Sequence, residues 1–199
     1  MSSSALAELI SSGRVWRGHE RANVAALPSG HAALDALLPG GGWPVGGLCE
    51  IVQAHSGVGE LGLVLPLIAQ LTQQRRPVVL VSPPHLAYAP AFASAGVRLP
   101  QLLVVDAPEP DLCWAAEQAL RARAGAVLMW TRRADMQALR RLQLAAEDVR
   151  GFVFLFHSGS LRNFSPAALR LRLRRERGAS QVEIVKCRGG AIGRGFALA

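Results

Sequence analysis

The chain has 199 residues and a mass of 21.2 kDa, half of it apolar and 18% charged, which suits one well-cored domain and excludes a disordered, solvating chain. Its net charge of +8 is uneven: residues 1–120 hold six Arg against nine acids, while residues 121–199 hold fifteen Arg and one Lys against five acids. The longest nearly uninterrupted apolar run, 61–69, is about half of the ~20 residues a spanning helix needs; residues 1–18 show no signal-peptide pattern and three scattered cysteines make no disulfide framework or metal motif, so a cytoplasmic protein with no membrane contact is expected.

Residues 1–26 are expected to form an N-terminal helix or arm and 27–199 a single domain, because no linker or repeat divides the remainder. Five glycines and two prolines between 39 and 47 mark a turn. Beyond it the pattern predicts a buried strand over 48–52 and an apolar helix over 60–74, with Pro66 a source of kinking. A β-branched strand follows over 78–81, then a helix over 88–95 stopped by Gly96 and a strand over 102–105. Leu112, Ala115, Ala116, Ala119 and Leu120 share one face of a helix over 109–123. A strand over 126–130, a helix over 135–146 and a strand over 152–156 continue the alternation. Strand and helix in turn, with short connections, predict an α/β fold: a mostly parallel sheet with helices on both faces. Strict alternation over 169–174 and again over 181–187 predicts an antiparallel hairpin on the sheet edge.

In such a sheet ligands bind in loops at the carboxyl ends of the strands. The first of these loops, 53–61, opens a helix where a phosphate-binding loop of the pattern G-x-x-x-x-G-K-[ST] would lie. Ala54 stands for the first Gly, Glu60 for the Lys and Leu61 for the metal-binding hydroxyl, leaving Gly59, with Gly57 inside the loop. A carboxylate ~4 Å from a triphosphate costs about 1 kcal/mol per unit charge in water, and more in a drier cleft. The expectation is a vestigial loop, no bound cofactor and no metal. No other set of residues makes a catalytic constellation. His157 and Ser158 follow a strand without a G-x-S-x-G elbow, and the five His never fall at metal-ligand spacing. Asp106, Glu109 and Asp111 read as helix N-terminal acids.

The basic half admits two readings. Arginine makes two parallel hydrogen bonds to phosphate, so the stretch 162–177 could track a nucleic-acid backbone or dock an acidic protein. Arg162, Arg174, Arg175 and Arg177 are the candidate contacts. Equally, Arg170, Arg172 and Arg174 could be the solvent face of a half-buried strand, guarding an edge. Trp43, Trp114 and Trp130 read as packing residues.

The segment from Pro28-Ser29-Gly30 through Leu34-Asp35, the glycine run, Trp43-Pro44 and 46–51 resembles the start of the RecA-type recombinase core. Pro83-Pro84-His85 resembles the segment that carries the catalytic glutamate in those ATPases, with Pro84 at its place. The strand 126–130 resembles the Walker B strand but runs into Thr131 with no Asp. Gly41-Gly42-Trp43-Pro44, Gly57-Val58-Gly59-Glu60-Leu61, and the stretches 114–121, 139–146 and 165–170 together resemble the ImuA family, over most of the chain from Val15 onward. That resemblance implies a non-catalytic, RecA-like accessory protein of damage-induced translesion DNA synthesis. It implies as partners an ImuB-type Y-family polymerase homologue and, through it, an error-prone replicative-type polymerase, with RecA and single-stranded DNA as further contacts. Residues 61–105 also resemble SulA, the division inhibitor that binds FtsZ, and a RecA-like ATP-binding enzyme is a third reading. Pairing through an N-terminal segment, common in RecA-like proteins, would make Leu6, Leu9, Ile10 and Trp16 partner residues; a helix packed on its own domain is the alternative. A basic residue such as Arg194 could restore a nucleotide site if it reached the loop.

Overall fold

The computed structural model describes residues 24–54, 56–133, 135–158, 165–176 and 178–198. Trp16, Leu6, Leu9 and Ile10 of the expected N-terminal arm, and Arg162 and Arg177, lie outside the described residues.

Among the described residues eight strands form one sheet: β1 (Leu48–Gln53), β2 (Val78–Val81), β3 (Leu102–Val105), β4 (Ala126–Trp130), β5 (Phe152–His157), β6 (Leu169–Glu176), β7 (Ala179–Cys187) and β8 (Gly195–Leu198). Their spatial order is β8-β7-β6-β1-β5-β4-β2-β3. The six strands from β6 to β3 run parallel, while β7 is antiparallel to β6 and β8 to β7. The helices are α1 (Ala32–Leu37), α2 (Glu60–Gln73), α3 (Ala89–Ser94), α4 (Leu112–Arg121) and α5 (Met136–Val149). None of the described helices is long and apolar enough to cross a membrane.

The central strands lack polar alternation because both of their faces are covered. On one face Leu63, Leu67, Ile68 and Leu71 of α2 pack with Ile51, Leu80, Leu128 and Phe154. On the other, Leu112, Ala116 and Leu120 of α4 and Leu139, Leu142 and Ala146 of α5 pack with Leu48, Val81, Val127 and Val153. Burying such a side chain contributes about 1.5–3 kcal/mol each, so these two layers fix the sheet. Gln143 on α5 pins the start of β1: its Oε1 accepts from Leu48 N–H at 2.8 Å and its Nε2 donates to Gly46 O at 3.0 Å.

Pro66 does not break α2, which runs unbroken from Glu60 to Gln73. Proline frees the carbonyl four residues earlier. Here that carbonyl belongs to Gly62, and His31 Nε2 lies 3.3 Å from it as its donor.

The expected antiparallel hairpin of β6 and β7 is present: β6 pairs in parallel with β1 from Cys49 to Gln53, and β8 adds one more strand outside β7. Two side-chain expectations are corrected. Arg170 is not on a solvent face: it is 7% exposed and its Nε donates to Glu50 Oε2 at 2.5 Å. Glu50, fully buried at the middle of β1, also accepts from the Ser165 hydroxyl. Arg172 is partly exposed and pairs with Glu183, whereas Arg174 is exposed, so only the far end of β6 keeps the expected polar face. Trp114, finally, is 60% exposed rather than packed, while Trp43 is buried edge-on against Phe154 and Trp130 stacks on Phe156.

Candidate functional site: a phosphate-type loop closed by its own carboxylate

The carboxyl ends of β1, β2, β4 and β5 open on a cleft of about 450 Å³ lined by Gln53, Ala54, Ser56, Trp130, Thr131 and His157, among others. This is the ligand position of a parallel α/β sheet. The loop from β1 to α2 borders it. Gly57 (φ 86°) and Gly59 (φ 98°) take the left-handed backbone that lets the chain turn tightly into the helix.

Glu60 is the first residue of α2 and is 5% exposed. Its carboxylate turns back into the loop and accepts from Gly57 N–H, at 2.9 Å to Oε1 and 3.1 Å to Oε2. Two features hold it there: the backbone donor and the positive end of the α2 dipole. A loop of this kind offers its N–H groups and its helix terminus to phosphate. Here an anion of the chain itself takes the Gly57 donor. The residues present therefore do not fit a magnesium–triphosphate: Leu61 supplies no hydroxyl, and a buried glutamate stands at the position of the phosphate lysine.

Glu60 and Leu61 line the apolar groove beside α2, whereas two other positions singled out from the sequence line the cleft itself. Pro84 lines it and brings no carboxylate. Thr131, at the end of β4, spends its hydroxyl on Glu109 Oε1 at 2.7 Å. Glu109 is more than a helix N-terminal acid. Its Oε1 also accepts from the backbone N–H of Arg132 (2.9 Å) and Arg133 (3.2 Å), clamping the loop after β3 to the loop after β4. The Thr131 hydrogen bond, aided by the two backbone donors, holds its carboxyl below the usual carboxylate range. Sequence gave no sign of this, since the partners lie more than twenty residues apart.

Three buried polar atoms on residues lining the cleft lack a hydrogen-bond partner among the described residues: Gln53 Oε1, Trp130 Nε1 and His157 Nε2. Burial pushes the His157 imidazole down to about 4, outweighing nearby Glu50, which acts in the opposite sense. The ring is therefore neutral near pH 7.

Arg174 and Arg175 are exposed at the carboxyl end of β6. Arg175 pairs across the hairpin with Ser180, whose hydroxyl donates to Val58 O of the loop at 2.5 Å. These two candidate arginines thus lie on the loop's side of the sheet. Arg194 does not: it precedes β8, its carbonyl accepting from Ile184 N–H. The β8 residue near Gly59 is Leu198, at the far end of the strand and about 13 Å from Arg194.

A mostly parallel sheet, helices on both faces and a glycine turn from the first strand into a helix define the phosphate-loop class of α/β proteins. No protein-family model matches the chain. Among curated proteins, 138 residues are 33% identical to Protein ImuA of Caulobacter vibrioides, covering 66% of this chain and 57% of that protein. Protein RecA of Fusobacterium nucleatum is 36% identical over 111 residues, 53% of this chain and 27% of its own length. Protein RecA of Bacillus licheniformis is 34% identical over 110 residues, 52% of this chain and 29% of its own. The chain is a distant homologue of both kinds of protein and falls in the RecA-like superfamily. Its match spans little more than half the length of the ImuA relatives and under a third of the RecA relatives.

Proposed function

We propose that the chain is a non-catalytic accessory protein of damage-induced (SOS) translesion DNA synthesis and mutagenesis, a RecA-like core that binds proteins and DNA without turning over nucleotide. The observation that carries this reading is the Glu60 carboxylate on Gly57 N–H. It repels a phosphate from the one loop that the fold provides for it. The similarity to ImuA supports the biological setting, and with it the expected partners: an ImuB-type Y-family polymerase homologue, an error-prone replicative-type polymerase reached through the complex, RecA and single-stranded DNA.

Surfaces suited to protein partners support the same reading. The edge strand β3 exposes Leu103 and Val104, and an apolar groove beside α2 is rimmed by Leu86 (92% exposed) and Tyr88. Unpaired strand edges and contiguous apolar surface are what partner chains cover. Arg174 and Arg175 would meet DNA or the polymerase-like partner.

Isothermal titration with ATP and magnesium tests the loop directly. The expected result is no heat of binding at any nucleotide concentration up to the millimolar range. Micromolar affinity would overturn the non-catalytic reading in favour of a RecA-like ATP-binding enzyme.

A further inference from the structure

The end of the sheet opposite the cleft carries a row of arginines that no sequence motif singled out. Strands β2, β4 and β5 each begin just after a helix, and past each helix end stands an arginine in left-handed backbone: Arg75 after α2 (φ 58°), Arg123 after α4 (φ 64°) and Arg150 after α5 (φ 50°). That conformation is the usual place of glycine. Among the described residues, three of the four non-glycine residues with positive φ are these arginines.

The row is physically continuous. Strands β5, β4 and β2 are neighbours. Arg76 lies across the entry to β4 with its side chain against Gly125, and its Nη2 donates to Arg150 O at 3.1 Å. Arg98, ahead of β3, is tied to the end of α2 by its backbone N–H, which donates to Thr72 Oγ1 at 3.1 Å. Arg98, Arg75, Arg76, Arg123 and Arg150 therefore follow one another along an edge four strands wide, about 15 Å at the usual strand spacing. None of the five belongs to an ion pair among the described residues. The carboxylates next to the row in sequence are Glu147 and Asp148 in the last turn of α5, and Glu147 accepts from Gln143 Nε2 at 2.7 Å.

A cation past a helix end complements the helix dipole, which accounts for Arg75, Arg123 and Arg150 one at a time. The same holds for Arg76, which donates to the carbonyl past the end of α5, but not for Arg98, or for arginine where glycine would sit without strain. Resting on the DNA-binding role proposed above, we propose that this amino-terminal edge of the sheet binds the phosphate backbone of a single strand of DNA, on the side away from the phosphate-type loop. A single strand running along this edge would present successive phosphates to guanidinium groups on neighbouring strands, the charge complement that binds by releasing counterions. Guanidinium groups that meet phosphates carry no base readout, so the contact is independent of sequence.

The test is fluorescence anisotropy with a labelled mixed-sequence 30-nucleotide strand across a salt series. The variant Arg75→Gly/Arg123→Gly/Arg150→Gly removes three charges and leaves the residue best suited to each φ, so its thermal midpoint should hold or rise. Its affinity at low salt should fall at least tenfold, and its slope of log K against log salt should shrink by about 2, at ~0.7 per lost phosphate contact. A folded triple variant with wild-type affinity and slope overturns the proposal. So does a wild type that fails to bind the strand at low salt, and so does binding lost in Arg174→Gln/Arg175→Gln but kept in the triple variant, which would place the contact on the hairpin. These outcomes are independent of whether the loop binds ATP.

Discussion

Glu50, Arg170 and His157 show how much of this molecule's electrostatics is internal. Glu50 is buried on β1, Arg170 reaches it from β6, and the His157 imidazole lies close enough to feel both. Removing one partner of such a buried pair leaves an uncompensated charge, at a cost of about 3–5 kcal/mol. Burial keeps His157 neutral down to about pH 4 when folded, whereas a free imidazole protonates near 6.5. Between those values the unfolded chain binds the extra proton, so stability falls as pH is lowered through that window and returns as pH rises. Urea unfolding should show this: relative to His157→Gln, the wild type should lose on the order of 3 kcal/mol more between pH 6.5 and 4. Parallel stability curves for the two proteins would contradict the buried neutral histidine. Glu60 obeys the same logic of placement, a carboxylate kept where a backbone donor and a helix terminus both favour it.

Helix α2 joins the loop to the core, and its position depends on a close approach. An added Cβ on Gly30, whose φ is 84°, would lie 2.4 Å from the Pro66 ring. Gly30→Ala should therefore destabilise the fold by about 1–3 kcal/mol, through both clash and backbone strain. A denaturation midpoint equal to wild type would show that α2 is free to shift. Pro66 illustrates what is legible in sequence and what is not: its lost hydrogen bond is readable, but His31 as the donor to Gly62 O comes only from the fold. The parallel strands were legible because β2, β4 and β5 are unbroken apolar runs between helices, and the degenerate loop because its position after β1 follows from that order. β8 was not, since Gly-Phe-Ala-Leu is too short to carry a period. Alternation marks two faces without saying which one is wet, and Arg170 is dry because its register partner on β1 is the buried Glu50 on the same face. Glu109 escaped because its partners sit on a different loop.

At the scale of the whole molecule, exposed arginines among the described residues stand at both ends of one sheet. Arg174 and Arg175 flank the phosphate-type loop at the carboxyl ends, while the row from Arg98 to Arg150 lines the amino ends. Phosphate contacts release counterions, so DNA binding through either end should weaken steeply with salt. The apolar edge at β3 and the groove beside α2 are the surfaces the proposed protein partners would cover. The proposed scaffolding role would need a sheet, charged rims and apolar patches, and would make no demand on the loop beyond a stable turn. Deleting the gene and scoring ultraviolet-induced mutation frequency together with cell length tests the accessory role most directly. The account predicts lost mutagenesis with normal damage-induced filamentation. Normal mutagenesis with lost filamentation would contradict it and assign the chain to division inhibition of the SulA kind.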